Sequence, residues 1–199
     1  MGKIIAVVGT TGVGKTSLVR ALCKQGPFIA GLEQHKERPF QRIFKSNPSF
    51  ALPNQLDYLL LRAEQESQLR QAAQTGLLDG GLDLDFHGFT RLFHARAWLS
   101  NAEFNLCTRF YELIRTYIPP PDLIISLSAN PDAILRRLAN RKRINVADPK
   151  DILRLTFFLD GWLSTIPPDH LIKLDVSEND VAYRHLLPSL LPKLRPYYS

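Results

Sequence analysis

A glycine-rich segment near the N-terminus constrains the fold of this chain more than any other feature of its sequence. Residues 9–16, GTTGVGKT, match the pattern G-x-x-x-x-G-K-[ST] at every fixed position. An apolar run rich in Ile and Val, residues 3–9, leads into the segment, and a helical pattern, residues 17–24, follows it. This context predicts a phosphate-binding loop between a buried strand and a helix.

The chemistry of such a loop is that of a cradle for anions. Its glycines let the backbone turn tightly, so that several amide groups point at the same anion, and the positive end of the following helix adds to the attraction. The Lys15 ammonium would reach the β- and γ-phosphates of a nucleotide, and the Thr16 hydroxyl would hold Mg²⁺. The predicted nucleotide-binding residues are Gly9, Thr10, Thr11, Gly12, Val13, Gly14, Lys15, Thr16 and Ser17.

Apolar runs elsewhere in the chain predict further buried strands. Residues 123–128 and 171–176 resemble the first run, and a helix-start signal follows each of them: Asn130-Pro131 in one case, and Ser177 with Asp180 in the other. Continuous apolar runs are typical of strands that are buried on both faces of a parallel sheet. Because these strands alternate with helical patterns, the sequence predicts an α/β fold with a mostly parallel sheet flanked by helices.

Several helices can be placed between the strands. Leucines at three- and four-residue spacing predict a helix that begins near Leu52, and Ser100 with Glu103 forms a capping box for another. The Asp-Pro pair at residues 148–149 opens a further helix, and Pro188 is expected to break or kink the last one.

The composition is that of a globular protein. The chain has 199 residues, of which 45% are hydrophobic and 22% charged, which excludes a disordered or fibrous chain, and we expect a single domain over residues 1–199. Its apolar runs are shorter than a membrane span of about 20 residues, and no secretory cleavage site follows the first of them. Cys23 and Cys107 are too few for a disulfide scaffold, so free thiols in the cytoplasm are expected. The net charge of +6 favours anionic partners, either phosphate-bearing small molecules or nucleic acid.

Motifs beyond the loop add a resemblance to a known family. Residues 28–33 (FIAGLE), the pair Asn47-Pro48, residues 77–79 (LLD) and the basic run 135–143 (LRRLANRKR) follow one another in the family's order. Over nearly its whole length the chain resembles the deoxynucleoside kinases, which are related to the thymidylate kinases. The resemblance implies a P-loop NTPase-like fold with an arginine-rich lid, ATP and Mg²⁺ as cofactors, and nucleotides and nucleosides as partners. It also implies a homodimer, and it argues against nucleic acid and a membrane as partners.

The resemblance assigns the acceptor site to residues of the first third of the chain. Glu33 matches the carboxylate that acts as general base on the nucleoside 5′-hydroxyl, with Glu37 as the local alternative. Gln55 matches an amide that hydrogen-bonds the base, a role that suits a side chain with both a donor and an acceptor. Phe44 falls at family-like spacing and is expected to contact the substrate. The alternatives are a solvated surface carboxylate and an ordinary exposed helix glutamine.

The segment after the next predicted strand both matches the family and departs from it. Asp79 matches a carboxylate that is expected to orient the magnesium shell together with Thr16. The family's arginine, which supports the reacting groups, is replaced by Gly80, so Arg91, Arg96 or a lid arginine would have to supply its charge. An alternative is a separate metal site made of the acidic residues and the histidine of this segment: Asp79, Asp83, Asp85 and His87.

The basic run matches the family's lid. Arg137 and Arg141 would bind the donor phosphates, since residues four apart share a helix face. Arg141 and Arg143, together with Lys15, would stabilise the charge of the transition state. The alternative is a solvated basic helix face or a nucleic-acid patch. The family's acidic residue beyond the lid has no clear match in residues 145–147.

Taken together, these residues predict an ATP-dependent (deoxy)nucleoside kinase that transfers the γ-phosphate to the 5′-hydroxyl of its acceptor. Two alternatives stay open at this point: a nucleoside monophosphate kinase of the thymidylate type, and a nucleotide-binding module without kinase turnover. Gly80 weakens the first alternative, because the corresponding triplet of thymidylate kinases also carries an arginine, and it supports the second.

Overall fold

A parallel sheet of five strands forms the centre of the computed structural model, which describes residues 2–31, 38–139, 149–178 and 182–198. The strands lie in the order β2-β3-β1-β4-β5, and every neighbouring pair is parallel. The predicted α/β class with a parallel sheet is confirmed. The strands are β1 Ile4–Val8, β2 Phe28–Gly31, β3 Thr75–Asp79, β4 Leu123–Ser128 and β5 Leu171–Asp175.

Helices connect the strands and cover both faces of the sheet. They are α1 Lys15–Gln25, α2 Pro39–Phe44, α3 Ala51–Arg70, α4 Leu82–Leu84, α5 Arg91–Ala95, α6 Asn101–Tyr117, α7 Pro131–Ala139, α8 Pro149–Leu163 and α9 Leu187–Leu194. A π-helical turn, Asp85–Thr90, joins α4 to α5. The predicted capping box at Ser100 is present, with the Ser100 hydroxyl accepting the Glu103 amide, and Asn130 caps α7 by accepting the Ala133 amide at 2.8 Å. None of the described helices combines the length and apolar character that crossing a bilayer needs.

The core lies on both faces of β1, which is the central strand of the sheet. Because successive side chains of a strand point to opposite faces, Ile5 packs with Leu18 of α1 and Leu190 of α9. Ile4 belongs to the other face, in one cluster with Leu159 of α8. This burial on both sides explains why the run before the phosphate loop is apolar without interruption.

A third cluster, built mainly by helices, lies beside α3. It joins α3, α5, α6 and α8 through residues that are all buried: Ala51, Leu59, Leu92, Phe93, Cys107 and Leu155. Phe44 at the end of α2 belongs to the same cluster. The cluster therefore fixes α3 relative to the helices that follow β3.

The C-terminal helix differs from its prediction. Pro188 lies in the first turn of α9, where a missing N–H costs nothing, so it begins the helix instead of breaking it. Ser177 and Glu178 form a turn, and α9 begins only at Leu187. The Ser177 hydroxyl accepts the Asn130 amide at 2.8 Å, which ties the end of β5 to the start of α7. Asp180, the other half of the expected capping box, lies outside the described residues.

Candidate active site

The phosphate loop occupies the turn between β1 and α1 that the sequence predicts. Gly14 is the N-cap of α1 and has a φ of 115°, a left-handed conformation that disfavours any residue with a Cβ. A Cβ at this position would also lie 2.2 Å from the Tyr183 hydroxyl. The Lys15 ammonium folds over the loop and donates to the carbonyls of Gly9 at 2.9 Å and Thr10 at 3.0 Å. Lys15 is thus placed at the centre of the loop, where a polyphosphate would be held.

Thr16 and Asp79 meet at the carboxyl edge of the sheet. Val7 pairs with Asp79 in the ladder between β1 and β3, so the loop after β1 and the end of β3 are neighbours. The Thr16 hydroxyl donates to the Asp79 carboxylate at 2.5 Å, and Asp79 is 2% exposed. A hydroxyl and a carboxylate oxygen are hard ligands of the kind that Mg²⁺ prefers. The two residues that the sequence predicts as the metal pair are therefore brought together, and their donor set fits the ion.

A buried polar chain runs from Asp79 toward α3. Arg62 of α3 donates to the Asp79 carbonyl at 3.4 Å and to the Asp85 carboxylate at 2.7 Å. Gln55, two turns earlier on the same face of α3, donates to the Asp85 carbonyl at 3.3 Å. Gln55 is 2% exposed, so the alternative of an ordinary exposed glutamine is wrong, whereas Gln68 of the same helix is exposed.

Arg62 and Asp85 are the site residues that sequence reasoning missed. The sequence pattern points to Asp85 only as part of the metal alternative, and it does not distinguish Arg62 from other helix arginines. A signal was available, because Gln55 and Arg62 lie seven residues apart, which is two helical turns and therefore one face of α3. Nothing local in the sequence indicates that Asp85, 23 residues later, pairs with Arg62.

The backbone after Asp79 is built for glycine. Gly80 has a φ of 90° and Gly81 a φ of 107°, so an arginine at position 80 would be strained in this conformation. A Cβ at Gly80 would lie 3.8 Å from Arg62 Nη2, which places the Arg62 guanidinium next to the position of the family's arginine. Of the substitutes that the sequence suggests, Arg91 is exposed, and Arg96 forms an ion pair with Asp151 at 2.5 Å.

The acidic segment after β3 does not form a metal site of its own. Asp83 accepts from the Tyr111 hydroxyl at 2.7 Å and from Arg115 Nε at 2.9 Å, and Asp85 pairs with Arg62. Burial lowers the pKa of His87 to about 4. Within the described ranges no three His, Cys, Asp or Glu side chains converge as metal ligands. The alternative of a cluster of Asp79, Asp83, Asp85 and His87 is therefore wrong, because arginines neutralise the carboxylates of Asp83 and Asp85.

The start of the predicted lid reaches the phosphate loop. Arg137 on α7 donates to the carbonyl of Val13 at 2.9 Å and to that of Val176, just beyond β5, at 2.6 Å. Leu138 of the same helix lies against Gly12, where a Cβ would be 2.9 Å from its side chain. Arg137 thus lies beside the loop. The remaining predicted residues fall outside the described residues and stay predictions: Glu33, Glu37, Arg141 and Arg143.

Phe44 lies in an aromatic group. Its ring centroid is 5.0 Å from that of Phe93 and 5.3 Å from that of Trp98, and the side chain is 6% exposed. Phe44 packs α2 against the helices after β3, and its contact with substrate stays a prediction.

Comparisons with known proteins point to one family of enzymes. The family model "Deoxynucleoside kinase" matches residues 5–181. The chain is 26% identical over 143 residues to the deoxyadenosine/deoxycytidine kinase of Bacillus subtilis, covering 70% of this chain and 66% of that protein. It is 27% identical over 143 residues to the deoxyadenosine kinase of Dictyostelium discoideum, covering 71% and 58%. The match thus spans less than two thirds of the length of these relatives.

Solved structures share the fold over almost the whole chain. The deoxyadenosine kinase of M. mycoides with bound dATP superimposes with a TM-score of 0.78 at 18% identity, covering 94% of this chain and 98% of that one. The same enzyme with bound dCTP gives a TM-score of 0.76 at 17% identity, covering 95% and 99%. With the family model matched from β1 to the segment after β5, the chain belongs to the deoxynucleoside kinase family.

Proposed function

We propose that this protein transfers the γ-phosphate of ATP to the 5′-hydroxyl of a deoxynucleoside. The observation that carries the proposal is the hydrogen bond between Thr16 and Asp79 at the phosphate loop, from which Arg62, Asp85 and Gln55 continue toward α3. A donor site and a polar acceptor side therefore adjoin at the carboxyl edge of the sheet, where ligands of open α/β sheets bind.

The donor side suits Mg-ATP. Lys15 would hold the β- and γ-phosphates, and the Thr16 hydroxyl with the Asp79 carboxylate would hold Mg²⁺, which neutralises charge on the transferred group. Among the lid arginines, Arg137 lies next to the loop. Arg141 and Arg143 are proposed to reach the transferred phosphoryl group.

The acceptor side suits a nucleobase. The Gln55 amide offers a donor and an acceptor for the base edge. It donates to the carbonyl of Asp85, and the ion pair with Arg62 holds Asp85 in place. Adenine and cytosine each place an amino group beside a ring nitrogen that accepts, which is complementary to an amide. Since the relatives are named as kinases of deoxyadenosine and deoxycytidine, these two nucleosides are the first acceptors to test.

Two further roles complete the proposal. Glu33 is the general base that takes the 5′-hydroxyl proton. Arg62 supplies positive charge near the position where the family's arginine is replaced by Gly80, because its guanidinium adjoins this glycine.

A nucleoside panel tests the proposal. ATP consumption should depend on a deoxynucleoside and should be much slower with the corresponding monophosphate. The Glu33→Ala variant should lose most of its turnover while its affinity for ATP stays close to that of the parent. Tight ATP binding without turnover on any nucleoside would reject the proposal, and equal losses of turnover and affinity would reject Glu33 as the base.

A nucleotide-binding module without turnover is the second candidate. The glycine pair at Gly80 and Gly81, both with positive φ, favours it because the backbone there excludes the family's arginine. In that case Mg-ATP would protect amides of the phosphate loop from hydrogen exchange, and no nucleoside, nucleotide or other acceptor in the panel would be phosphorylated.

A homodimer in a reducing cytoplasm is the proposed form of the protein. The exposed apolar residues of α6 suit a second copy of this chain, since Leu113 is 57% and Tyr117 76% exposed. Cys23 and Cys107 are free thiols, and burial raises the pKa of both, which disfavours the reactive thiolate.

A further inference from the structure

Tyr183 contacts the phosphate loop from the side of the hydrophobic core. Its hydroxyl donates to the carbonyl of Gly14 at 3.1 Å. The side chain is 3% exposed and belongs to the core cluster that also contains Val13 and Leu187. No other part of the proposed mechanism uses this tyrosine.

The contact fixes the direction of an amide that the loop needs. A peptide unit is planar and trans, so the carbonyl of Gly14 and the N–H of Lys15 point in opposite directions. The Gly14 carbonyl also accepts the Leu18 amide at 3.1 Å, which begins α1. Both hydrogen bonds hold the Gly14 carbonyl so that it points away from the phosphate cradle. The Lys15 N–H of the same peptide therefore points into the cradle.

The neighbouring peptide is held in the same way. Arg137 donates to the carbonyl of Val13 at 2.9 Å, which fixes the direction of the Gly14 N–H by the same geometry. Two consecutive carbonyls of the loop are therefore held by side chains from elements distant in sequence. Their two amides are among those that would face the donor phosphates.

Tyr183 and Gly14 both have a backbone conformation or a lack of side chain that permits their contact. Tyr183 has a φ of 55°, an uncommon left-handed conformation for a bulky residue, and its own carbonyl accepts the amides of Leu186 and Leu187 at 3.0 Å. Gly14 has no Cβ, and a Cβ would lie 2.2 Å from the Tyr183 hydroxyl. A strained conformation persists where its surroundings over-determine it, and such residues concentrate at functional sites.

We infer that Tyr183 is a positioning residue of the donor site, which holds the Gly14–Lys15 peptide so that the Lys15 amide points at the phosphates of the nucleotide. The inference rests on the proposed function for the identity of the ligand, Mg-ATP. It concerns the shape of the unliganded loop, so it can be tested without any turnover.

The test removes one hydroxyl and keeps the ring. Tyr183→Phe should leave the packing intact and free the Gly14–Lys15 peptide to rotate. Tyr198→Phe is the matched control, because its hydroxyl also donates to a backbone carbonyl, that of Leu191 at 3.3 Å, away from the loop. Mg-ATP affinity by calorimetry, melting temperature, and amide hydrogen exchange of Lys15 in the ligand-free protein are measured in both variants and the parent.

The inference predicts that Tyr183→Phe weakens Mg-ATP binding about fivefold, as expected for the loss of one hydrogen bond of ordinary strength. It also predicts faster exchange of the Lys15 amide. Tyr198→Phe should change neither quantity, although both variants lower the melting temperature by a similar small amount. Unchanged affinity and unchanged Lys15 exchange in Tyr183→Phe would overturn the inference, as would equal losses in the two variants. If the parent bound no Mg-ATP, the proposed function would fail, while the exchange rate of Lys15 would still decide whether Tyr183 orients this amide.

Discussion

At the scale of single residues, the Asp79 carboxylate has a position beside the phosphate loop that suits a magnesium ligand. Asp79 is almost fully buried, and its carboxylate accepts a hydrogen bond from the hydroxyl of Thr16, the residue after the loop lysine. A carboxylate that orients a metal shell typically contributes 10- to 100-fold to metal affinity or activity. Its position follows from the pairing of β1 with β3, which brings together two residues 63 positions apart in sequence.

Asp79→Asn should therefore raise the Mg²⁺ concentration needed for half-maximal activity, by about tenfold or more. The amide keeps the size of the carboxylate and loses its charge, so the fold should survive. Activity is measured against Mg²⁺ concentration at saturating ATP and nucleoside. Asp132→Asn, an exposed carboxylate at the start of α7, is the control and should behave as the parent does. An unchanged Mg²⁺ dependence in Asp79→Asn would contradict its role.

His87 couples stability to pH. Burial, the largest cause, lowers its pKa from 6.5 to about 4; Asp83 opposes the shift, while Arg91 and Arg115 add to it. Between these two pKa values the unfolded chain binds a proton at this residue and the folded protein does not. The stabilisation is therefore fully present above pH 6.5 and is lost as the pH falls toward 4.

His87→Phe should flatten this pH dependence. The parent should lose on the order of 2 kcal/mol more of its free energy of unfolding than the variant between neutral and acidic pH. The ring stacks on Trp162 at a centroid distance of 5.0 Å, and its Nδ1 has no partner among the described residues. Its Nε2 lies 3.3 Å from the Tyr111 hydroxyl, which keeps its own hydrogen bond to Asp83 without the histidine, so a phenyl ring is a suitable replacement. Urea denaturation at a series of pH values measures the difference. Parallel curves for parent and variant would show that another group is responsible.

At the scale of elements, α3 marks the limit of what the sequence pattern predicts. The spacing of Leu52 and the leucines after it predicts a helix, which extends from Ala51 to Arg70. The pattern does not predict that Gln55, Arg62 and Glu66 are buried. A periodic pattern of apolar residues indicates only which hydrophobic side chains are buried. Two of these polar residues are buried because they pair with residues from later in the chain: Arg62 with Asp85, and Glu66 with Arg115.

Removing one partner of the Arg62–Asp85 ion pair should therefore lower the free energy of unfolding strongly. Arg62→Met should destabilise the fold by about 3 kcal/mol, because it leaves a buried carboxylate without its partner. The double variant Arg62→Met with Asp85→Asn should lose clearly less than the sum of the two single losses. Free energies of unfolding from urea denaturation test this.

A second ion pair, between the residue that precedes α2 and a residue of α3, serves as the control for this cycle. Arg38 and Asp57 are 28% and 17% exposed at their side chains, so Arg38→Met should cost about 1 kcal/mol or less. Equal losses for Arg38→Met and Arg62→Met, or strict additivity in the Arg62–Asp85 cycle, would contradict the buried pair.

At the scale of the whole molecule, the sequence predicts the class of fold better than its arrangement. The apolar runs predict β1, β4 and β5, and the capping signals predict the starts of α6 and α7. The short strands β2 and β3 contain glycines and lack a continuous apolar run, so only the family resemblance predicts them. The order of the strands depends on pairings between distant segments, which no local pattern encodes, so the sequence predicts the pairing of Thr16 with Asp79 only through the family resemblance.

The exposed apolar residues of α6 should hold two copies together. Leu106, Leu113 and Tyr117 lie seven and four residues apart on one face, and they are 43%, 57% and 76% exposed. Leu113→Arg should therefore convert a dimer into a monomer with an unchanged circular dichroism spectrum, as measured by light scattering after size exclusion. Leu153→Arg on α8, which is 77% exposed, is the control and should remain dimeric. A monomeric parent would contradict this assignment.

Transfer of the labelled phosphate tests the central claim most directly. With γ-labelled ATP, Mg²⁺ and deoxyadenosine or deoxycytidine, the label should appear on the 5′-oxygen of the nucleoside, one equivalent for each ADP formed. The Lys15→Met variant should form almost none, because it lacks the ammonium that lies over the loop. Label that stays on ATP or appears only as inorganic phosphate, or equal transfer by the Lys15→Met variant, would contradict the account.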